Sequence, residues 1–301
     1  MKTAIYKMSN NQYLGDCIAI VIKLREDEKP ESFTRDEAIV FIKTTQKMYE
    51  EIHTVDDLRK AKNLFGEVVP CLREGCECLL GVFGDSHCNC ENERENALSM
   101  IGEKLGVYIH TPQEAQGQGL FYKAQELHLQ VNGIMPDGTY VGPKTQSEAA
   151  ELLLGKSIID IRHYALTAQI LKNLGLAKYK FAFMSRNHNK CKDMVKAGIQ
   201  IVSMVDIPSH MNLDNMGETL VKWVEKGFCF TEDEAQQIIT LLAQYRALPE
   251  RATKMINKAA KMYQTEEGRN KLTKRSHLLP ETQELLEDVV CSFVTSTKEA
   301  A

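Results

Sequence analysis

The sequence predicts an α/β domain followed by an all-helical C-terminal region. Three observations carry this. Between about 147 and 207, helical and strand patterns alternate, which argues for layered α/β architecture. From about 213 onward the apolar residues recur at helical spacing. The composition, 43% apolar and 26% charged over 301 residues, is that of a globular chain with room for one large domain and a smaller one. The expected division is 1–210 and 211–301, with the boundary at PSHMNL, 208–213.

The elements follow in order. DCIAIVIKL (16–24) reads as a strand. ESFTRDEAIVFIKTTQKMYEEI (31–52) has helical spacing, with Thr34 as N-cap ahead of Glu37. GEVVPCLRE (66–74) reads as a strand that enters a cysteine-rich loop. After Cys90 the apolar residues Ala97, Leu98, Ile101 and Leu105 predict a helix, and GVYIHTP (106–112) a short strand. LFYKAQELHLQ (120–130) is helical, and the turn formers of VNGIMPDGTYVGPKT (131–145) predict a hairpin or excursion. Helices are expected at 147–155, 161–175 and 189–198, and strands at 179–185 and 199–207. Gly175 stands at a helix stop. Four C-terminal helices follow. Thr231 and Glu234 form a capping box, and Pro249 and Pro280 open new helices. Trp223 is either a core residue of this bundle or part of a partner surface.

Net charge is −4, so no bulk basic field exists to hold a nucleic-acid backbone. No apolar run reaches the length of a bilayer span. The start, MKTAIYKMSNNQYLGD, lacks the apolar core and cleavage site of a secretion signal, and a cytoplasmic protein is expected.

Nine cysteines are present, and five of them (Cys71, Cys76, Cys78, Cys88, Cys90) fall in a single stretch. In a reducing compartment such a cluster points to a metal. The C-x-C pairs Cys76/Cys78 and Cys88/Cys90 suit zinc, because a tight turn aims both sulfurs at one point. If Cys78, Cys88 and Cys90 bind, the fourth position is open for water. If Cys76 binds too, the site is closed and structural. An unmetallated thiol cluster is the third alternative. Cys17, Cys191, Cys229 and Cys291 stand alone and read as core residues.

Cys78-Leu79-Leu80-Gly81, then Phe83-Gly84, then Cys88-Asn89-Cys90 resembles the zinc loop of GTP cyclohydrolase II, a riboflavin-pathway family. Arg73, Glu77 and Cys78 fall where that family has R-V-H-S-E-C. Gln113-Glu114 and Gly117-x-Gly119-Leu120 resemble R-Q-E-G-R-x-I-G-L. Asp160-Ile161-Arg162-His163-Tyr164 is similar to D-x-R-D/N-Y/F, and Ser185 to Lys190 takes the place of T-N-N-P-x-K. The resemblance covers about 66–207. Residues 1–65 match weakly, and the C-terminal stretch has no counterpart.

The resemblance implies a mixed sheet with flanking helices. It implies an enzyme that opens the imidazole ring of a guanine nucleotide with zinc-activated water, releasing formate and pyrophosphate. Carried over, Arg162 is the nucleophile or clamp at the α-phosphate, with Asp160 as its partner; Asp160 read alone is a helix N-cap. Arg73, Glu77, Glu93, Gln113, Glu114, Ser185 and Lys190 form the expected nucleotide-binding set. Glu114 would accept from the guanine edge, and Arg73 and Lys190 would hold the triphosphate. Read alone, these are solvated charges. The implied cofactors are zinc and the magnesium of the nucleotide; the implied partners are a nucleoside triphosphate and a second copy of the chain.

Four departures bear on this. The spacing from Cys78 to Cys88 is one residue shorter than in the family, and Leu80 replaces its threonine. Cys76 replaces its serine. Pro112 and Gln116 replace two arginines. Leu127 stands where the family has a tyrosine linked to hydrolysis at the ring, and leucine cannot donate or relay a proton. The neighbouring His128 is turned about 100° away on a helix. The leading expectation is therefore a zinc-dependent cyclohydrolase-like enzyme with altered substrate or product. The alternative is a degenerate nucleotide-binding or interaction module with a four-cysteine structural zinc.

Overall fold

The computed structural model describes residues 1–24, 37–75, 79–113, 117–155, 162 and 164–299. In chain order the first elements are β1 (Lys2–Asn11), β2 (Gly15–Lys23), β3 (Glu37–Lys43), α1 (Gln46–Glu51), α2 (Val55–Lys60) and β4 (Cys71–Gly75). Next come α3 (Leu79–Val82), α4 (Cys90–Lys104), β5 (Gly106–His110), α5 (Leu120–Asn132) and α6 (Gln146–Leu154). Then follow α7 (Tyr164–Asn173), β6 (Lys180–Met184), α8 (His188–Lys196), β7 (Gln200–Val205) and α9 (Leu213–Val224). The last are β8 (Phe230–Thr231), α10 (Glu232–Gln244), α11 (Glu250–Tyr263), α12 (Glu266–Thr273), β9 (Ser276–His277) and α13 (Pro280–Glu299).

The chain divides into two units. The first comprises Met1–Glu77, Glu93–Gly119 and Ile161–Ile207; the second comprises Cys78–Asn92, Leu120–Asp160 and Pro208–Ala301. The second unit thus draws on the middle of the chain as well as its end.

The first unit is built on a seven-stranded sheet of order β1-β2-β3-β5-β4-β6-β7. The pairs from β1 to β5 are antiparallel, and those joining β5, β4, β6 and β7 are parallel. Both faces are covered, because alternate residues of each strand point to opposite sides. Ile18, Ile20, Val40, Ile42, Leu72, Val107 and Phe183 join one core, with α2, α7 and α8 packed on it. Cys17, Cys71, Tyr108 and Met184 face the other core, which α4 closes with Ala97, Leu98 and Ile101.

Two expectations are corrected. Where a helix is expected over 31–52, the described residues, from 37 on, form strand β3 and the short helix α1 instead. Ala38, Val40 and Ile42 are buried while their neighbours are not, a period of two over β-branched residues. Thr34 lies outside the described residues; the hydroxyl that caps α1 belongs to Thr45, which accepts from Met48 N. The strand expected over 66–74 forms only from Cys71, after Pro70. Residues 2–11, to which the sequence assigns no element, form the edge strand β1.

The second unit is helical around one core that includes Met216, Leu220, Trp223, Phe230, Ile238, Ile256, Tyr263 and Leu286. Trp223 is a core residue here, stacked on Phe230 with ring centroids 4.4 Å apart. The Thr231–Glu234 capping box forms as expected. The excursion after α5 folds back through the antiparallel Ile134–Tyr140 bridge and returns to α6 at its Thr145 cap. Among the described residues no helix is long and apolar enough to cross a membrane.

Candidate functional site

In the first unit the described ones among the expected residues, Arg73, Glu93, Gln113, Arg162, Ser185 and Lys190, lie toward the C-terminal ends of the parallel strands β4, β5 and β6. This is where open α/β sheets leave a crevice for ligands. Strand alternation sends Arg73 and its neighbour Glu74 to opposite faces. On one face, Arg73 donates to Glu93 Oε2 of α4 at 3.1 Å and to the Met184 carbonyl at 3.1 Å. Arg186, just past β6, reaches the other oxygen of Glu93 at 3.4 Å. Two guanidiniums therefore share one carboxylate.

On the opposite face Glu74 is fully buried. Its carboxylate pairs with Lys190 of α8 and accepts from Thr111 Oγ1 at 2.8 Å. Lys190 Nζ also donates to the Glu74 carbonyl at 2.6 Å. Gln113 extends the chain by donating to Thr111 Oγ1 at 3.1 Å. Arg162 and Lys190 both lie over the Tyr164 ring, each 5.4 Å from its centroid. Burial would raise the Glu74 pKa, but Lys190 above all, with Arg162 and Thr111, holds that carboxyl below the usual range.

Local sequence explains this placement. Asn187 caps α8 by accepting from Asn189 N and Lys190 N, which fixes the first turn that carries Lys190. Ser185 is buried and accepts from Asn187 N at 3.2 Å, so its hydroxyl shapes the turn from β6 into α8. On each face, among these described residues, two cations oppose one carboxylate.

In the second unit α3 packs against the cysteine pair. A Cβ on Gly81 would come within 2.9 Å of Cys88 Sγ and 3.2 Å of Cys90 Cβ, so only glycine leaves room for those side chains. Cys88 is buried and Cys90 half-buried. Cys90 opens the 15-residue helix α4, whose N-terminal dipole favours a thiolate. The Cys88 amide is tied to Asp85 O at 3.2 Å, and the His87 ring meets Asp85 Oδ1 at 3.0 Å. Two soft donors two residues apart, pinned by a turn and seated on a glycine, fit zinc.

Cys76, Glu77, Cys78, Glu114 and Asp160 lie outside the described residues. Among the described residues, no group of three or more histidine, cysteine or carboxylate side chains converges. Leu127 is buried in α5, while His128 beside it is exposed and bonded to Asn132 at 3.0 Å.

The sequence reading missed Glu74, Thr111, Tyr164 and Arg186 as site residues. Glu74 had a visible signal: a carboxylate inside the otherwise apolar strand CLREG, which needs a buried partner. It also missed Lys123 of α5, which is 6% exposed and pairs with Glu126 at 2.9 Å.

A family model described as GTP cyclohydrolase II matches residues 37–206. A GTP cyclohydrolase-2 from Vibrio parahaemolyticus is 32% identical over 147 residues, which cover 48% of this chain and 67% of that protein. One from Vibrio vulnificus is 31% identical over 148 residues, 49% of this chain and 68% of its own. Riboflavin biosynthesis protein RibBA from Bacillus subtilis is 32% identical over 145 residues, 48% of this chain and 33% of its own. Residues 207–301 lie beyond the family match.

Proposed function

The chain belongs to the GTP cyclohydrolase II family, and on that premise we propose that it is a zinc-dependent hydrolase of a nucleoside triphosphate, GTP first among the candidates, with a product that departs from the family's. The observation that carries the proposal is the pair of cation-rich groups at the ends of β4, β5 and β6. They are Arg73 and Arg186 around Glu93, and Lys190 and Arg162 around Glu74.

Each chain residue has a distinct task in this reading. Arg73 and Arg186 present planar donor forks to phosphate oxygens. Arg162, held over Tyr164, attacks or clamps the α-phosphate. Glu74 and Thr111 keep Lys190 in place and limit its motion. Gln113 offers an amide to the base or sugar. Cys88 and Cys90, with Cys78, are the proposed zinc ligands. Zinc bound there supplies Lewis acidity that makes water a nucleophile at neutral pH. Leu127 offers no hydroxyl where the family has a tyrosine, so the ring-opened product keeps its formyl group. The nucleotide enters as its magnesium complex. A homodimer belongs to the same proposal, and sedimentation of the full chain checks it.

The test is mass spectrometry of products from the zinc-loaded full chain, given purine and pyrimidine triphosphates with magnesium. Pyrophosphate release from GTP, with a formyl-retaining product, is the expected result. Arg162→Ala should abolish pyrophosphate release before it affects zinc content. Release that persists in that variant removes Arg162 from its role. The buried Leu127 favours one second reading, a nucleotide-binding module with a closed four-cysteine zinc. No turnover of any nucleotide by fully loaded protein, with four sulfurs counted by X-ray absorption at the zinc edge, would establish that reading instead.

A further inference from the structure

β1 is the end strand of the first unit's sheet, and among the described residues it pairs with β2 alone. Edge strands are normally blunted by proline, a bulge or outward charge. Residues 2–8 hold no proline and run in unbroken register with β2; the irregularity comes only between Met8 and Asn11. Lys7 does not guard the edge. Its Nζ donates to the Glu50 carbonyl of α1 at 3.0 Å and lies over the Tyr49 ring. Tyr49 also reaches Met8 O and Ser9 Oγ. α1 thus steadies the far end of the strand, while Lys2, Thr3, Ala4 and Tyr6 stay exposed.

The strand borders an apolar shelf. Register places Ala4, Val21 and Ile39 in one row across β1, β2 and β3, and Tyr6, Ala19 and Phe41 in the next. Side chains in such rows share one face of the sheet. Met8 and Phe41 touch the core that α4 closes. Farther out the face is open: Tyr6 is 67% and Val21 37% exposed, and Ile39 is half-buried. Charge returns at the rim, in the row Lys2, Lys23 and Glu37. An open apolar face beside an undefended edge marks a surface for association.

We propose that two copies of the chain associate here, by antiparallel pairing of β1 with itself about a twofold axis at Ile5. Such pairing rests on the homodimer reading above and gives it a surface. Three features commit the edge to a second copy. A twofold perpendicular to the sheet keeps like faces together, so the two shelves join. Centred on Ile5, Ala4 stands opposite the partner's Tyr6, Lys2 opposite the partner's Met8 and Lys7 opposite the partner's Thr3, so no two lysines meet. A slip of one residue would set Lys2 against Lys7 and turn one shelf to the back of the other. Charge is complementary along the strand as well. Lys2 stands at its start and pairs with no described carboxylate. Asp16 lies beside its finish, where its carboxylate accepts from Asn10 N at 3.2 Å and pairs with no described lysine or arginine. Antiparallel pairing brings each Lys2 toward the partner's Asp16.

The test is sedimentation equilibrium of the full chain over a concentration series. Tyr6→Lys puts a charge on the joined shelf at an exposed position, where the fold tolerates it. It should raise the dimer dissociation constant about ten-fold. Lys2→Glu should weaken the dimer, and adding Asp16→Lys should regain most of that loss. Val202→Lys, 54% exposed on the opposite edge strand β7, should change nothing. In the double variant Ala4→Cys/Tyr6→Cys, mild oxidation should link two chains, with mass spectrometry of mixed light and heavy chains locating the bond between the two introduced positions. A wild-type dimer that Tyr6→Lys leaves intact overturns the surface alone, as does a double variant that forms no such bond. A wild type that sediments as a monomer throughout overturns the homodimer reading as well, and leaves the edge to a strand from another protein.

Discussion

At the residue scale, the Glu74–Lys190 pair governs one half of the site. Both side chains are nearly inaccessible, at 0% and 5% exposure. A buried pair of this kind contributes little net stability, but removing one partner strands the other charge. Lys190→Met should therefore destabilise the chain by about 3–5 kcal/mol in urea unfolding. Adding Glu74→Gln should recover part of that loss. A Lys190→Met variant as stable as wild type would mean that the lysine is dispensable to the fold and held only for ligand. Asn187 and Ser185 show the same economy at lower stakes. Their side chains are spent on the turn that aims α8, so the expected ligand role of Ser185 is joined by a local structural one.

At the element scale, four residues of α3 do what no periodicity announces. The helix is too short to be stable alone and is held by the loop around it. Its Gly81 is the floor under Cys88 and Cys90. Gly81→Ala should push the floor away by several tenths of an ångström. The expected outcome is protein that folds, with metal retention reduced in chelator competition. Unchanged retention would show that the cysteine loop does not depend on α3. The strand β3 carries a related lesson. Its residues EAIVFIK satisfy a strand period, yet they lie inside a longer run that also fits a helix. Pairing with β2 and β5 on both sides decides the matter, because two ladders of hydrogen bonds outweigh weak local propensity.

At the scale of the whole molecule, buried carboxylates tie stability to pH. Burial would raise the Glu218 pKa, but Lys222 first, then Lys123 and Arg251, bring it from 4.5 down to about 2. Glu74 is lowered as well. A folded-state pKa below the unfolded one means that the unfolded chain binds the proton first as pH falls. The stabilisation is complete above pH 4.5 and disappears as pH drops toward about 2. Urea unfolding at a series of pH values should show this acid limb, and Glu218→Gln should flatten part of it. An identical limb in that variant would assign the loss to other carboxylates.

Much of this molecule is legible along the chain. Helices α4 to α11 and strands β2, β5, β6 and β7 follow from apolar spacing, caps and turn residues, all of which act within a few residues. The cysteine spacing and the ordered motifs identify the family, which the match over 37–206 bears out. What the chain could not disclose is which distant residues meet. Glu74 finds Lys190 at a separation of 116 positions, and Gln130 finds Arg251 at 121. Such pairs depend on strand order and helix packing, which bring remote segments together only once the cores close. For the same reason, tertiary structure alone decides that α5, the cysteine loop and the C-terminal helices form one unit.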